Sequence, residues 1–178
     1  MSNQLILLSS IFLPWFTLFF MDKKDIKRYM PVALFGALGV TIIGEIALAS
    51  NWWFYDSVYP FFHIPAFAYG LFPVGIIWIF KLTYKRFLLF MIANAIFDFI
   101  LTFPLDYFLT QRGILILNNI TNLQLLLLDL VHAVVLYVYQ VWQESIFALY
   151  EETSFSASLQ PAASKPVLKD QDANKDSE

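Results

Sequence analysis

Five stretches of about twenty residues, approximately 3–21, 31–50, 62–80, 87–109 and 123–142, are built almost wholly from apolar side chains. A helix rises about 1.5 Å per residue, so each stretch is long enough to cross about 30 Å of hydrocarbon. None shows the two-residue alternation of a barrel strand. A chain in lipid must also satisfy its own backbone, so the stretches predict helices. Pro14, Pro65, Pro73 and Pro104 fall inside them, which a bundle tolerates because neighbouring helices can take up the carbonyls that proline frees. The composition agrees. Hydrophobic residues make up 59% and charged residues 14%, against roughly 45–50% and about 25% in soluble domains. The fold class expected is all-α: a polytopic transmembrane helix bundle of five spans, residues 1–142.

The connections predict its direction. Lys23, Lys24, Lys27 and Arg28 follow the first span, and Lys81, Lys85 and Arg86 follow the third; the other two loops hold only Arg112. This asymmetry predicts an N-terminus outside and a C-terminus inside. Trp52 and Trp53 then belong to the outer interface as aromatic anchors, with His63 near the outer end of the third span. The first span lacks a basic leader and a small-residue cleavage motif, so a retained anchor is expected.

After Trp142 the apolar pattern fades. Residues 143–152 read as a helix extension or an interfacial segment, and 153–178 as a disordered acidic cytoplasmic tail with too little apolar content to offset the entropy of ordering. The chain has no cysteine, which removes disulfides, thiolate metal sites and cysteine nucleophiles. No basic patch suggests nucleic acid. The expected surroundings are a lipid bilayer, with a homo-oligomer or a membrane-protein partner as further possibilities.

Against this background the run NAIFDFILTFPLD stands out. Asn94, Asp98, Thr102 and Asp106 are each four residues apart, which puts them along one stripe of a helix whose other faces are Phe, Ile and Leu. Asp129 and His132 lie three apart in the last span, and Glu45 sits in the second. A charge at mid-membrane costs about 2.5–3.5 kcal/mol. These seven residues are therefore the candidates for a polar interior shared by spans two, four and five and open toward the outside. Small residues on span two, Gly36, Val40 and Gly44 beside Ala33, Ala37 and Thr41, suit close helix contact. Asp129-x-x-His132 resembles half of a di-iron bundle motif, but such sites need it on two helices and it occurs once. No metal or cofactor is expected.

The runs KKDIKRYMPVALF, GLFPVGIIWIFKLTYKRF and NAIFDFILTFPLDYF, with Trp52-Trp53 and the closing YVYQ, resemble a family of small multi-spanning integral membrane proteins of Gram-positive, largely spore-forming bacteria. The resemblance covers about residues 20–142. It implies a multi-pass protein of a bacterial plasma membrane and carries over no catalytic residues.

Three functional expectations follow. The first is a non-enzymatic membrane component whose polar interior ties its helices together. A second is a small transporter, or proton- or cation-coupled carrier, that uses Asp98, Asp129 and His132. Third comes a lipid-modifying enzyme at the outer interface with Glu45, Asp106 or His63 as acid or base.

Overall fold

The computed structural model describes residues 3–55 and 66–158; residues 56–65, His63 among them, and 159–178 lie outside it. Helix α1 (Asn3–Phe16) passes through a 3₁₀ turn (Thr17–Phe20) to α2 (Lys23–Ala49) and strand β1 (Trp53–Tyr55). A second 3₁₀ turn (Ala66–Tyr69) precedes α3 (Leu71–Thr83) and α4 (Phe87–Ile100). There follow a π turn (Leu101–Leu105), α5 (Asp106–Gln111), β2 (Leu115–Leu117) and α6 (Asn122–Ser158). Four of these helical stretches are long and apolar enough to cross a membrane: Asn3–Phe20, Lys23–Ala49, Phe87–Gln111 and Asn122–Leu149. The third expected span differs from the rest. Its apolar α-helix, α3, has 13 residues, about 20 Å of rise, and a separate 3₁₀ turn precedes it.

The burial pattern is that of a chain whose solvent is oil. Along α4 and the turn after it, Asn94, Asp98 and Thr102 are buried, whereas Ile92, Ile96, Phe99 and Ile100 are exposed. On α2 the exposed row is Leu34, Leu38, Ile42 and Ile46. In water this arrangement would leave large apolar faces uncovered while hiding carboxylates, and both are costly. In lipid both costs change sign.

Two apolar clusters hold the helices of residues 1–141 together. One gathers Tyr29, Val32, Phe72, Ile77, Phe80, Phe90 and Leu136; Tyr29 stacks on Phe80 with ring centres 5.8 Å apart. The other gathers Leu7, Ile11, Ala47, Trp53, Leu109 and Leu115. The small face of α2 is used inside the fold: a side chain at Gly36 would meet Ile76 at 2.4 Å, and one at Gly39 would meet His132 at 2.5 Å.

The two lysine-rich turns share one end of this unit. Lys81 pairs with Asp25 at 3.3 Å, and the Arg28 guanidinium lies 4.8 Å above the Tyr84 ring. At another place the two remaining connections meet. Helix α2 closes with Asn51 at a φ of 52°, its N–H donating to Leu48 and that of Trp52 to Ala47. Helix α5 closes in the same way around Gly113, φ 68°, with Gly113 N–H to Thr110 and Ile114 N–H to Leu109. Both are six-residue caps in which a left-handed residue turns the chain back across the helix end. The turned segments pair antiparallel, Trp53 opposite Leu117 and Tyr55 opposite Leu115. WFY and LIL are rich in strand-forming residues, but three residues are too few to announce a strand beforehand.

Among the described residues, those from Trp142 to Ser158 belong to a second unit. Helix α6 carries on as far as Ser158, so it includes Thr153–Ser158, for which the sequence predicted no structure. Extending a helix that already exists adds a hydrogen bond for each residue fixed and avoids the nucleation cost, so a weakly helical segment can follow on.

Close backbone contact at Gly70 yields a prediction. A Cβ there would stand 2.1 Å from the Ile11 carbonyl oxygen, whereas nothing lies within 4 Å of one at Gly44. Gly70→Ala is expected to lower stability in detergent by about 1–3 kcal/mol through overpacking, and Gly44→Ala by much less, read from chemical or thermal unfolding.

Candidate functional site

The acidic stripe depends on the π turn. In a straight α-helix a four-residue step overshoots one turn by about 40°, so a stripe of four residues drifts by about 120°. The five-residue turn Leu101–Leu105 contains Pro104, which has no N–H to donate. The chain widens there, and the Asp106 N–H reaches back five residues to Leu101. The wider turn absorbs part of the overshoot. Asn94, Asp98, Thr102 and Asp106 consequently stay on one buried side, each 6% exposed or less. The first side chain of α6 supports the same place: the Asn122 amide donates to the Thr102 carbonyl, inside the distorted turn.

Helix α6 faces this stripe with Asp129 and His132. Asp129 receives a hydrogen bond from the Thr102 hydroxyl. Its carboxyl is near enough to Asp98 and Asp106 for their charges to act on one another. Among the described residues none of these three acids is in an ion pair. His132 is buried and lies flat against Phe72, with ring centres 5.7 Å apart and planes 4° from parallel; its Nε2 has no hydrogen-bond partner among the described residues.

Between these elements is a cavity of about 70 Å³. Its polar lining is Asp106, Asp129, Thr102 and Tyr55; Trp53, Phe67 and Phe72 supply aromatic walls, and Val40 and Ile43 come from α2. It sits where the two apolar clusters approach, since Phe72 belongs to one and Trp53 to the other. A smaller void of about 10 Å³ lies beside it, bordered by Asn94, Asp98, Asp129 and His132. Asp129 lines both. Tyr55 is on β1, outside the candidate spans, and burial, with Asp106 and Asp129 nearby, raises its phenol well above the ordinary value. At neutral pH it therefore keeps its proton and can donate a hydrogen bond.

Several expected site residues sit elsewhere. Glu45 is exposed on α2 and does not line the cavity, which corrects its placement in the polar interior. The 27 residues of α2 rise about 40 Å, some 10 Å more than a bilayer's hydrocarbon. A residue one turn from that helix's end needs no interior partner. Trp53 was expected as an interfacial anchor and is instead buried, 9% exposed, because the α2 cap turns it inward. Trp52 remains half-buried beside it, with ring centres 6.2 Å apart. His63 lies outside the described residues.

Phe67 and Asn122 were not singled out from sequence. The signal for Asn122 was present: an amide at the first turn of an apolar helix, in a bundle whose opposite helix carries a proline. Among the described residues no group of three or more His, Asp and Glu side chains could hold a metal ion. The arrangement can do two things chemically. It can hold a small positive group between carboxylates and aromatic faces, and it can pass a proton among neighbouring acids, with His132 beside them.

The Asn122 contact gives a direct test. Asn122→Leu keeps the branched outline, in a larger side chain, but leaves the Thr102 carbonyl without that donor. It should cost about 1–3 kcal/mol, measured by unfolding in detergent or bicelles, while Asn118→Leu, at an exposed position, should cost little.

No protein-family model, no curated protein and no solved structure matches this chain.

Proposed function

We propose that this protein is a multi-pass component of a bacterial plasma membrane, with five spans, an external N-terminus and an internal C-terminus, that acts as a small cation- or proton-coupled carrier. The family resemblance of residues 20–142 supports the location. The clustering of both basic turns at one end, through Lys81–Asp25 and Arg28–Tyr84, supports the direction. With the 3₁₀ turn before it, α3 has the length of a thin span.

One observation carries the carrier reading: the carboxyls of Asp106 and Asp129 share a cavity instead of a salt bridge. Had these acids served only to tie helices together, they would be paired across the interface. Asn122, an amide, also bonds across from α6 to the Pro104 turn. Asp98 and His132 extend the polar set along the helices, with Asp129 as the link. Intramembrane acids without a cationic partner are costly to keep, and they mark ion and proton paths in transport proteins.

The purely structural reading retains one supporting observation, the Thr102–Asp129 and Asn122–Thr102 contacts between neighbouring helices. The two readings separate in proteoliposomes. Wild-type protein carrying an imposed cation or pH gradient should dissipate it, as followed by an internal pH dye. Asp129→Asn should reduce that flux at least tenfold while the protein stays folded. Wild-type vesicles as tight as empty ones to protons, alkali cations and organic cations would refute the carrier and leave the structural role.

A further inference from the structure

We infer that the Asp106–Asp129 cavity is a binding site for a primary ammonium group. This deepens the carrier reading and rests on it for the passage of the ligand, but not for its binding.

The lining specifies the chemistry. Two carboxylates face one space with no Lys or Arg among the described residues to neutralise them. An occupant of positive charge would remove both their repulsion and the cost of burying them. The walls are Trp53, Tyr55, Phe67 and Phe72, and aromatic faces attract cations through their quadrupole. Thr102 and Tyr55 add hydroxyl oxygens able to accept N–H bonds. The Trp53 indole N–H is buried without an acceptor among the described residues, which suits an occupant that also carries an oxygen.

Size narrows the class further. A volume of about 70 Å³ is about half that of an apolar cavity able to take benzene. It fits an ammonium on a short alkyl or hydroxyalkyl stem. A tetraalkylammonium ion with four ethyl arms is too large. An alkali cation would bring no oxygen for the Trp53 indole N–H.

The ammonium could reach this place free in water or as part of a lipid head group. Asp106 also borders an open groove of about 520 Å³, walled by Phe103, Tyr107, Ile116 and Leu117. Tyr107 and Ile116 are exposed, so the groove lies on the face expected to meet lipid, and Asp106 joins it to the cavity. An aminolipid could lay its stem in the groove with its ammonium between the two acids.

The full-length protein in nanodiscs tests this. In phosphatidylcholine discs, ethanolamine and ethylammonium should raise the unfolding temperature with concentration, and tetraethylammonium should not. Discs containing phosphatidylethanolamine should give the same stabilisation without added amine if the lipid is the source. Asp129→Asn should weaken the response about 30-fold or more, as expected when a buried charge partner is removed. Ile116→Ala should change only the lipid response. Glu45→Gln, at an exposed position that does not line this cavity, should retain both.

No stabilisation by free amine or by aminolipid, in a folded wild-type protein, overturns the assignment. So does a response that Asp129→Asn and Asp106→Asn both leave intact. Amine binding without any flux would keep this site and reject the carrier. Proton or cation flux that is indifferent to amines would keep the carrier and reject this site.

Discussion

A carboxylate in hydrocarbon has nowhere good to point except at protein. The cost, about 2.5–3.5 kcal/mol at mid-membrane, exceeds what a helix gains by presenting one more apolar face to a neighbour. This constraint orients the helices. Asn94, Asp98, Thr102 and Asp106 decide which side of α4 and α5 turns inward, and Ile92, Ile96 and Phe99 are left outside by default. Hydrophobic burial organises soluble cores; in this protein the apolar clusters fill space around a polar seam.

The seam is precise because the backbone bends to keep it so. Pro104 removes a donor, the helix widens to a π turn, and the added room returns Asp106 to the face that Asp98 already holds. Asn122 then takes up the Thr102 carbonyl. At the ends of α2 and α5, two caps of the same kind bring Trp53 and Tyr55 against Leu117 and Leu115. One strand residue, Tyr55, thereby reaches the acids of two different helices. A proline and two left-handed residues, Asn51 and Gly113, shape the space between them.

Much of this was legible in the sequence, and the limits have physical causes. Apolar length announced the membrane-compatible helices, and four-residue spacing announced the buried stripe, because both signals are local and periodic. The depth of Glu45 could not be read, since α2 is longer than the hydrocarbon it would cross and composition does not say which end protrudes. Trp53 was misplaced for a related reason: tryptophans at a helix end ordinarily mark the interface, and only the cap geometry turns this one inward. The cavity itself comes from four stretches distant in sequence, within residues 40–55, 67–72, 101–106 and 125–129, and no local pattern encodes a space among them. The strand pair was missed because three residues carry no period.

The orientation of α4 relative to lipid is the point on which the account depends, and the absence of native cysteine makes it measurable. Single cysteines placed along residues 92–103 of the protein in bilayers can carry nitroxide labels, whose collisions with dissolved oxygen report contact with acyl chains. Positions 92, 96, 99 and 103 should show high oxygen accessibility, and 94, 98 and 102 should show low values. High accessibility at 98 and 102, with 96 and 99 shielded, would put the carboxylates in oil and contradict the account.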